Sequence, residues 1–353
     1  MQKDDAQLQL AQAQTILVTF LMQLGDLILT TPFITALRNA APNAKIVYLM
    51  DEKWLDIMKA NPDIDEILTI DRKGKDNSFS ALWRYSRKLR KRKFDFLINL
   101  NPSERCTFLA AFSGAKYKAG ATPKAFRPFF DKVIKLDHNK HAADRFLEVL
   151  QKLGVKNLVH DGLKIVTTEK QRKEADNFFT SHNITSADKV IGFNIGSASM
   201  IKCWLPERFA QVADQMIEDG YKVVFLGSKA EKELVQKAVS HMKHQPIIAT
   251  GNFTVGVLVA VIHRLNLLIT NDSGPMHMAV SQKTPIVALF GPSNPERFGP
   301  YQAKNTIVVT SQTPCSDCPP KMKKQCEDWR CMKGISVQQV VDAARSLLTN
   351  YID

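Results

Sequence analysis

Two aspartates and one lysine stand in small-residue loops that directly follow apolar, β-branched runs, the place where an open α/β sheet receives its ligands. In Gln23-Leu-Gly25-Asp26, Gly25 permits close backbone approach and the Asp26 carboxylate has the chemistry of a general base, or of a simple helix N-cap. In Asn271-Asp272-Ser273-Gly274-Pro275-Met276-His277 a strand ends and a helix starts near Gly274, so the amides of Ser273 and Gly274 are suited to a phosphate. The plain alternative is that Asp272 or Ser273 only caps that helix. Gly196-Ser197-Ala-Ser-Met-Ile-Lys202-Cys203-Trp204 offers flexible residues and then one cation, which can neutralise a diphosphate or merely be solvated. Glu231, in Gly227-Ser228-Lys229-Ala230-Glu231, could accept hydrogen bonds from ribose hydroxyls or serve as a first-turn acid favoured by the helix dipole.

A second chemistry lies in Cys315, Cys318, Cys326 and Cys331, spaced C-x2-C-x7-C-x4-C, while Cys106 and Cys203 stand alone. Four thiolates at this density can hold zinc tetrahedrally or an iron centre, or remain reduced thiols in a loop, or serve redox chemistry. The cluster is outside the four loops above, so the expected metal is structural.

These residues need a scaffold, and 353 residues with 44% hydrophobic and 24% charged content suit two globular domains. Apolar runs at 15–20, 44–50, 66–70 and 94–100 alternate with helical patterns at 29–39, 54–60 and 79–92. The alternation restarts at 190–195 and continues through 222–226, 246–249, 267–270 and 285–289. The prediction is an α/β chain: a polar leader at 1–14, one Rossmann-like domain at 15–168 and a second at 188–335 holding the cysteine-rich loop 315–331. A helix at 336–353 follows. No apolar run approaches the ~20 residues of a membrane-spanning helix, and the start of the chain has no secretory pattern, which predicts a cytoplasmic protein.

Forty-eight Lys and Arg against 35 Asp and Glu give a net charge of +13, so an anionic partner is expected. Ten of the basic residues lie between Arg72 and Lys93 with Asp76 as the sole acid, ending in Lys88-Leu89-Arg90-Lys91-Arg92-Lys93. With Trp83, Tyr85 and Leu89 interleaved, the segment suits an amphipathic helix at an anionic lipid surface, or a solvated basic face with an apolar underside. A recognition helix for nucleic acid is not evident, and no nucleic-acid partner is expected.

Taken together, Gln23-Leu-Gly25-Asp26 with Pro32, Asn194-Ile-Gly196 with Lys202-x-Trp204-x-x-Glu207, Asn271 to His277, and Phe290-Gly-Pro-Ser293 resemble glycosyltransferase family 9. That is the family of the ADP-heptose:lipopolysaccharide heptosyltransferases. The resemblance runs from about residue 15 to 345 and implies a GT-B fold, two Rossmann-like domains facing across a cleft, with acceptor on the first and nucleotide sugar on the second. It implies an inverting transfer of heptose from ADP-heptose to the lipopolysaccharide inner core. Asp26 would be the catalytic base and Lys202 the phosphate cation. Gly196, Ser197, Asp272, Ser273, Gly274 and His277 would form the donor site, with Glu231 the less secure match. No cofactor is then needed for catalysis, and the cysteines would bind structural zinc or iron, as some family members bind iron. The anionic glycolipid acceptor would place the enzyme peripherally at the cytoplasmic face of the inner membrane, held by Lys88 to Lys93. His141 and Arg145 also match a family pattern, with an acceptor or a structural role. Alternatives are another lipid or a protein as acceptor, or a non-catalytic sugar-nucleotide-binding subunit.

Overall fold

The computed structural model describes residues 6–311, 313, 318 and 326–350, and the chain divides into two compact units after Val166. In the first, the strands are β1 (Thr15–Thr19), β2 (Lys45–Asp51), β3 (Glu66–Ile70), β4 (Phe96–Asn99), β5 (Tyr117–Gly120) and β6 (Lys132–Val133). They pair in parallel in the order β3-β2-β1-β4-β5-β6. In the second, β7 (Val190–Asn194), β8 (Lys222–Leu226), β9 (Ile247–Ile248), β10 (Leu267–Asn271), β11 (Ile286–Phe290) and β12 (Thr306–Thr310) follow. Their parallel order, β12-β11-β10-β7-β8-β9, is the same 3-2-1-4-5-6 plan. Both halves are Rossmann-like, and the chain has the α/β organisation of the GT-B class.

The central strands are apolar without alternation because helices cover both faces: Ile16, Leu17 and Val18, like Leu267, Leu268 and Ile269, are completely buried. In each sheet the strand order reverses between the first and fourth strands, β1 and β4 or β7 and β10, and a crevice opens at their carboxyl ends.

Three segments outside the two domain bounds given above pack onto the units. Helix Ala6–Gln12, within the expected leader, buries Ala6 and Leu10. Helix Glu169–Ser181, between the bounds of the two domains, starts with a capping box between Thr168 and Gln171. It joins the second unit through Phe178 stacked edge-on to Phe253 and an Arg264–Asp176 ion pair at 2.7 Å. Helix Val337–Asn350 lays Val340, Val341, Ala344, Leu347 and Leu348 on the core of the second sheet.

Candidate active site

The second unit brings the sequence motifs to one edge of its sheet, at the neighbouring carboxyl ends of β8, β7, β10 and β11. Two asparagines tie the central loops together. Asn194, ending β7, donates from Nδ2 to Thr270 Oγ1 (3.3 Å), Ser273 Oγ (3.1 Å) and the Gly196 carbonyl (3.2 Å). Asn271, ending β10, donates to the Ile195 carbonyl (2.7 Å) and accepts from the Trp204 amide (3.0 Å). Ser197 Oγ donates to the Asp272 carbonyl at 2.9 Å. Buried polar side chains satisfied in this way fix loops that would otherwise be adaptable.

Lys202 lies in a single turn of 3-10 helix, Met200–Lys202, and its Nζ meets Asp272 Oδ2 at 2.6 Å. The expected phosphate cation is thus already oriented by an aspartate, with the lysine about a quarter exposed and the carboxylate buried. The loop is latched from behind: Trp204 Nε1 donates to the Ile335 carbonyl (3.1 Å) and Arg208 to the Lys333 carbonyl (2.6 Å).

Helix Gly274–Gln282 starts at Ser273, whose hydroxyl makes no cap to the helix and bonds instead with Asn194 and Thr270. The simple capping role is therefore not the one Ser273 plays, and the first turn of the helix carries no side-chain cap. His277, one turn further, is buried. Glu231 does take the plain role: its Oε2 accepts the Ser228 amide at 2.5 Å in a capping box. Its carboxylate also covers Gly196, where a β-carbon would fall 1.6 Å from Oε1, so Gly196 and Glu231 are neighbours across the β7 and β8 loops.

In the first unit, Gly25 and Asp26 follow β1 as expected, but inside a short helix, Leu24–Ile28, and not in a glycine turn. Asp26 is in its first turn and partly exposed. The residue that sequence reasoning overlooked beside this loop is Arg72. Its guanidinium donates to the Leu21 carbonyl (2.8 Å) and to Asp51 (2.5 Å), crossing the carboxyl ends of β1 and β2. Arg105 in turn holds the Arg72 loop through carbonyls of Arg72, Asp76 and Asn77. At the reversal point Thr19 Oγ1 donates to Asn99 Oδ1 (2.7 Å), and Gly120 is obligatory because a β-carbon there would meet the Asn99 carbonyl at 2.1 Å.

The basic segment forms helix Phe79–Lys91, capped by Ser78. Its cations do not form one face: Lys88, Arg90 and Lys91 project from the helix, Arg92 pairs with Glu66 at 2.5 Å and Lys93 follows in a left-handed conformation. The Arg92 contact holds the Glu66 carboxyl below the usual carboxylate range. His141 caps helix Ala142–Lys152 by accepting the Ala143 amide, and Arg145 meets His138 at 2.9 Å, a structural arrangement.

Of the cysteine cluster, Cys315 lies outside the described residues. Cys318 donates its amide to the Pro292 carbonyl (3.0 Å), the Cys326 carbonyl accepts Trp329 Nε1 (3.2 Å), and buried Cys331 lies against Gly291. Among the described residues no three His, Cys, Asp or Glu side chains are grouped to hold a metal ion. Cys318, Cys326 and Cys331 thus do not by themselves make the expected site. Also among the described residues, no helix is long and apolar enough to cross a membrane.

This geometry has relatives. The chain is 25% identical over 301 residues to the lipopolysaccharide core heptosyltransferase OpsX of Haemophilus influenzae, covering 84% of each chain. It superposes on the crystal structure of a glycosyl transferase family 9 protein from Veillonella parvula with a TM-score of 0.90 at 46% identity, over 96% of this chain and 98% of that one. It shares the fold of Escherichia coli ADP-heptose lps heptosyltransferase II, with a TM-score of 0.78 at 20% identity over 96% and 99% of the chains. The sequence profile of "Glycosyltransferase family 9 (heptosyltransferase)" matches residues 82–328, more than half of the sequence. The strand-end loops built around Asn194, Lys202 and Asn271 to His277 fall inside that span, and the chain is a glycosyltransferase that belongs to family 9.

Proposed function

We propose that this enzyme transfers a heptose from ADP-heptose to the inner core of lipopolysaccharide, with inversion at the anomeric carbon. The observation that carries the donor half is the Lys202–Asp272 pair beside the uncapped helix Gly274–Gln282. A lysine fixed by a carboxylate and a row of helix amides is preorganised for the charge that grows on a departing diphosphate. Gly196 and Ser197 line the same edge, and Glu231, although engaged with Ser228, is near enough to Gly196 to border a ribose.

Asp26, at the carboxyl end of β1, is the base of the acceptor half. Its carboxylate takes the proton of the acceptor hydroxyl, whose oxygen bonds to the anomeric carbon as the bond to the diphosphate oxygen breaks. ADP leaves with the electron pair, and attack from the opposite face inverts the centre. Arg72, held at the ends of β1 and β2, suits an acidic sugar or phosphate of the acceptor. Lys202 and the amides supply the positive charge for this step, which uses no cofactor. The acceptor's lipid would bring the enzyme to the cytoplasmic membrane face, where those exposed cations that share one side of helix Phe79–Lys91 meet anionic headgroups.

The test is direct: incubation with ADP-heptose and a heptose-deficient inner-core acceptor, with product mass and anomeric configuration read by mass spectrometry and NMR. A heptose-bearing product of inverted configuration supports the reading; transfer from UDP- or GDP-sugars alone overturns the donor, and a retained configuration overturns the role of Asp26.

A further inference from the structure

The first unit carries a surface that the transfer reaction does not use. Rings from three separate segments meet in a row: Phe79 against Phe108 (5.4 Å between centroids), Phe108 against Trp83 (6.2 Å), Trp83 against Phe112 (5.6 Å) and Phe112 against Phe129 (5.1 Å). The two helices Phe79–Lys91 and Glu104–Phe112 and the 3-10 segment Lys124–Phe129 contribute them. Phe108 and Phe112 rest on the core of the unit and form a rigid floor. Above it Phe79, Trp83 and Phe129 are 71%, 47% and 42% exposed.

Exposed aromatic area of this extent on one face marks an interaction site. Its rim identifies the partner. Arg87 continues the stripe of Phe79 and Trp83 at four-residue spacing, and Arg84, Lys124 and Arg127 are exposed beside it. Phe79–Lys91 and Lys124–Phe129 contain no acidic residue, and exposed Glu104 at the start of Glu104–Phe112 is the sole acid of the three segments, so the face as a whole is strongly basic. Two such faces would repel, which disfavours a second copy of the chain. Aromatic rings at headgroup depth with cations around them fit an anionic bilayer.

We infer that Phe79, Trp83 and Phe129 insert into the interfacial layer of an anionic membrane, making this face, more than the Lys88–Lys93 run alone, the membrane-docking surface. The inference deepens the membrane-face location proposed above and rests on it.

The test uses the full chain without donor or acceptor, sedimented with vesicles of phosphatidylglycerol and phosphatidylcholine in equal parts, or of phosphatidylcholine alone. Wild type should bind the anionic vesicles, and a Phe79→Ser/Trp83→Ser/Phe129→Ser variant should bind at least about tenfold more weakly while keeping its ADP-induced thermal shift. Equal binding by the variant, or equal binding of wild type to both vesicles, overturns the inference, as does a change in native mass on substitution, which would make the face an interface between copies. Should the triple variant fail to fold, quenching of tryptophan emission by brominated phosphatidylglycerol decides: it should fall in Trp83→Phe, and an unchanged quench overturns the insertion. A wild type that binds anionic vesicles through this face but transfers no heptose would remove the proposed function and leave this docking surface standing.

Discussion

Lys202 and Asp272 lie seventy residues apart in the chain and meet at 2.6 Å, joining the loops that follow the two central strands of the second sheet. The lysine is therefore held in place before any anion arrives, and the aspartate acts by orienting it.

Removing Lys202 leaves a buried carboxylate without its cation. Lys202→Ala should lower stability by roughly 1–3 kcal/mol and abolish most of the thermal shift given by ADP. Asp272→Ala should also weaken the ADP shift, by loosening the lysine. The double variant should be more stable than Lys202→Ala alone. Additive losses in a double-mutant cycle, followed by thermal melts, would show that the two side chains do not act as a pair.

Asp26 answers to a different measurement. Asp26→Ala should reduce kcat by about 10²-fold or more while the ADP-induced thermal shift stays at its wild-type value. Loss of that shift would assign Asp26 to binding or folding.

The strand-end loops of the candidate site are legible in the sequence, because loops with Gly, Ser and Asp after apolar runs are local patterns. The Rossmann-like strands were legible too, since Ile16 to Val18 and Leu267 to Ile269 are unbroken apolar runs. What escaped were relationships between distant residues. The clasp of Asn194 and Asn271 over the β7 and β10 loops, the Lys202–Asp272 pair and the aromatic row from three segments have no signature in any single window. Gly25 reads in the sequence as a loop residue because glycine disfavours helix, whereas the tertiary setting keeps it helical. Strand β5, Tyr-Lys-Ala-Gly, has the β-propensity of one residue, and β6 is two residues long. Strand β12, Thr-Ile-Val-Val-Thr, is by contrast a plain β-branched run with an ordinary strand signal.

Gly196 and Glu231 provide a steric test. A β-carbon at residue 196 would overlap the Glu231 carboxylate, which could swing away only by releasing the Ser228 amide. Gly196→Ala should therefore cost about 1 kcal/mol, and adding Glu231→Ala, which removes the obstructing atoms, should recover part of it. Chemical denaturation of the three variants measures this. No recovery in the double variant would mean that the loop backbone itself rejects the side chain.

The buried thiols set an alkaline limit. Burial pushes Cys106 up to about 12 and Cys203 up to about 11, the latter helped by the nearby Glu231 charge. Both folded values lie above the ordinary thiol value of 9.0, so the unfolded chain loses these protons first. Their stabilising effect is complete below that value and declines as pH rises through 9 towards 12. Denaturation at stepped pH should show this decline, and Cys106→Ala should flatten it. Iodoacetamide at pH 8 should spare both residues in the native protein; rapid native labelling of Cys106 would contradict its burial.

The latch behind the donor loop has a bearing on how the enzyme is made. Trp204 is fastened to the carbonyl of Ile335, 131 residues downstream. While the chain is being synthesised, the segment bearing Lys202 therefore lacks its anchor long after its own strand has emerged. On the proposed donor role of this loop, a nascent or truncated chain would hold Lys202 loosely and should bind ADP poorly, so the order of folding would keep unfinished copies from taking up the nucleotide.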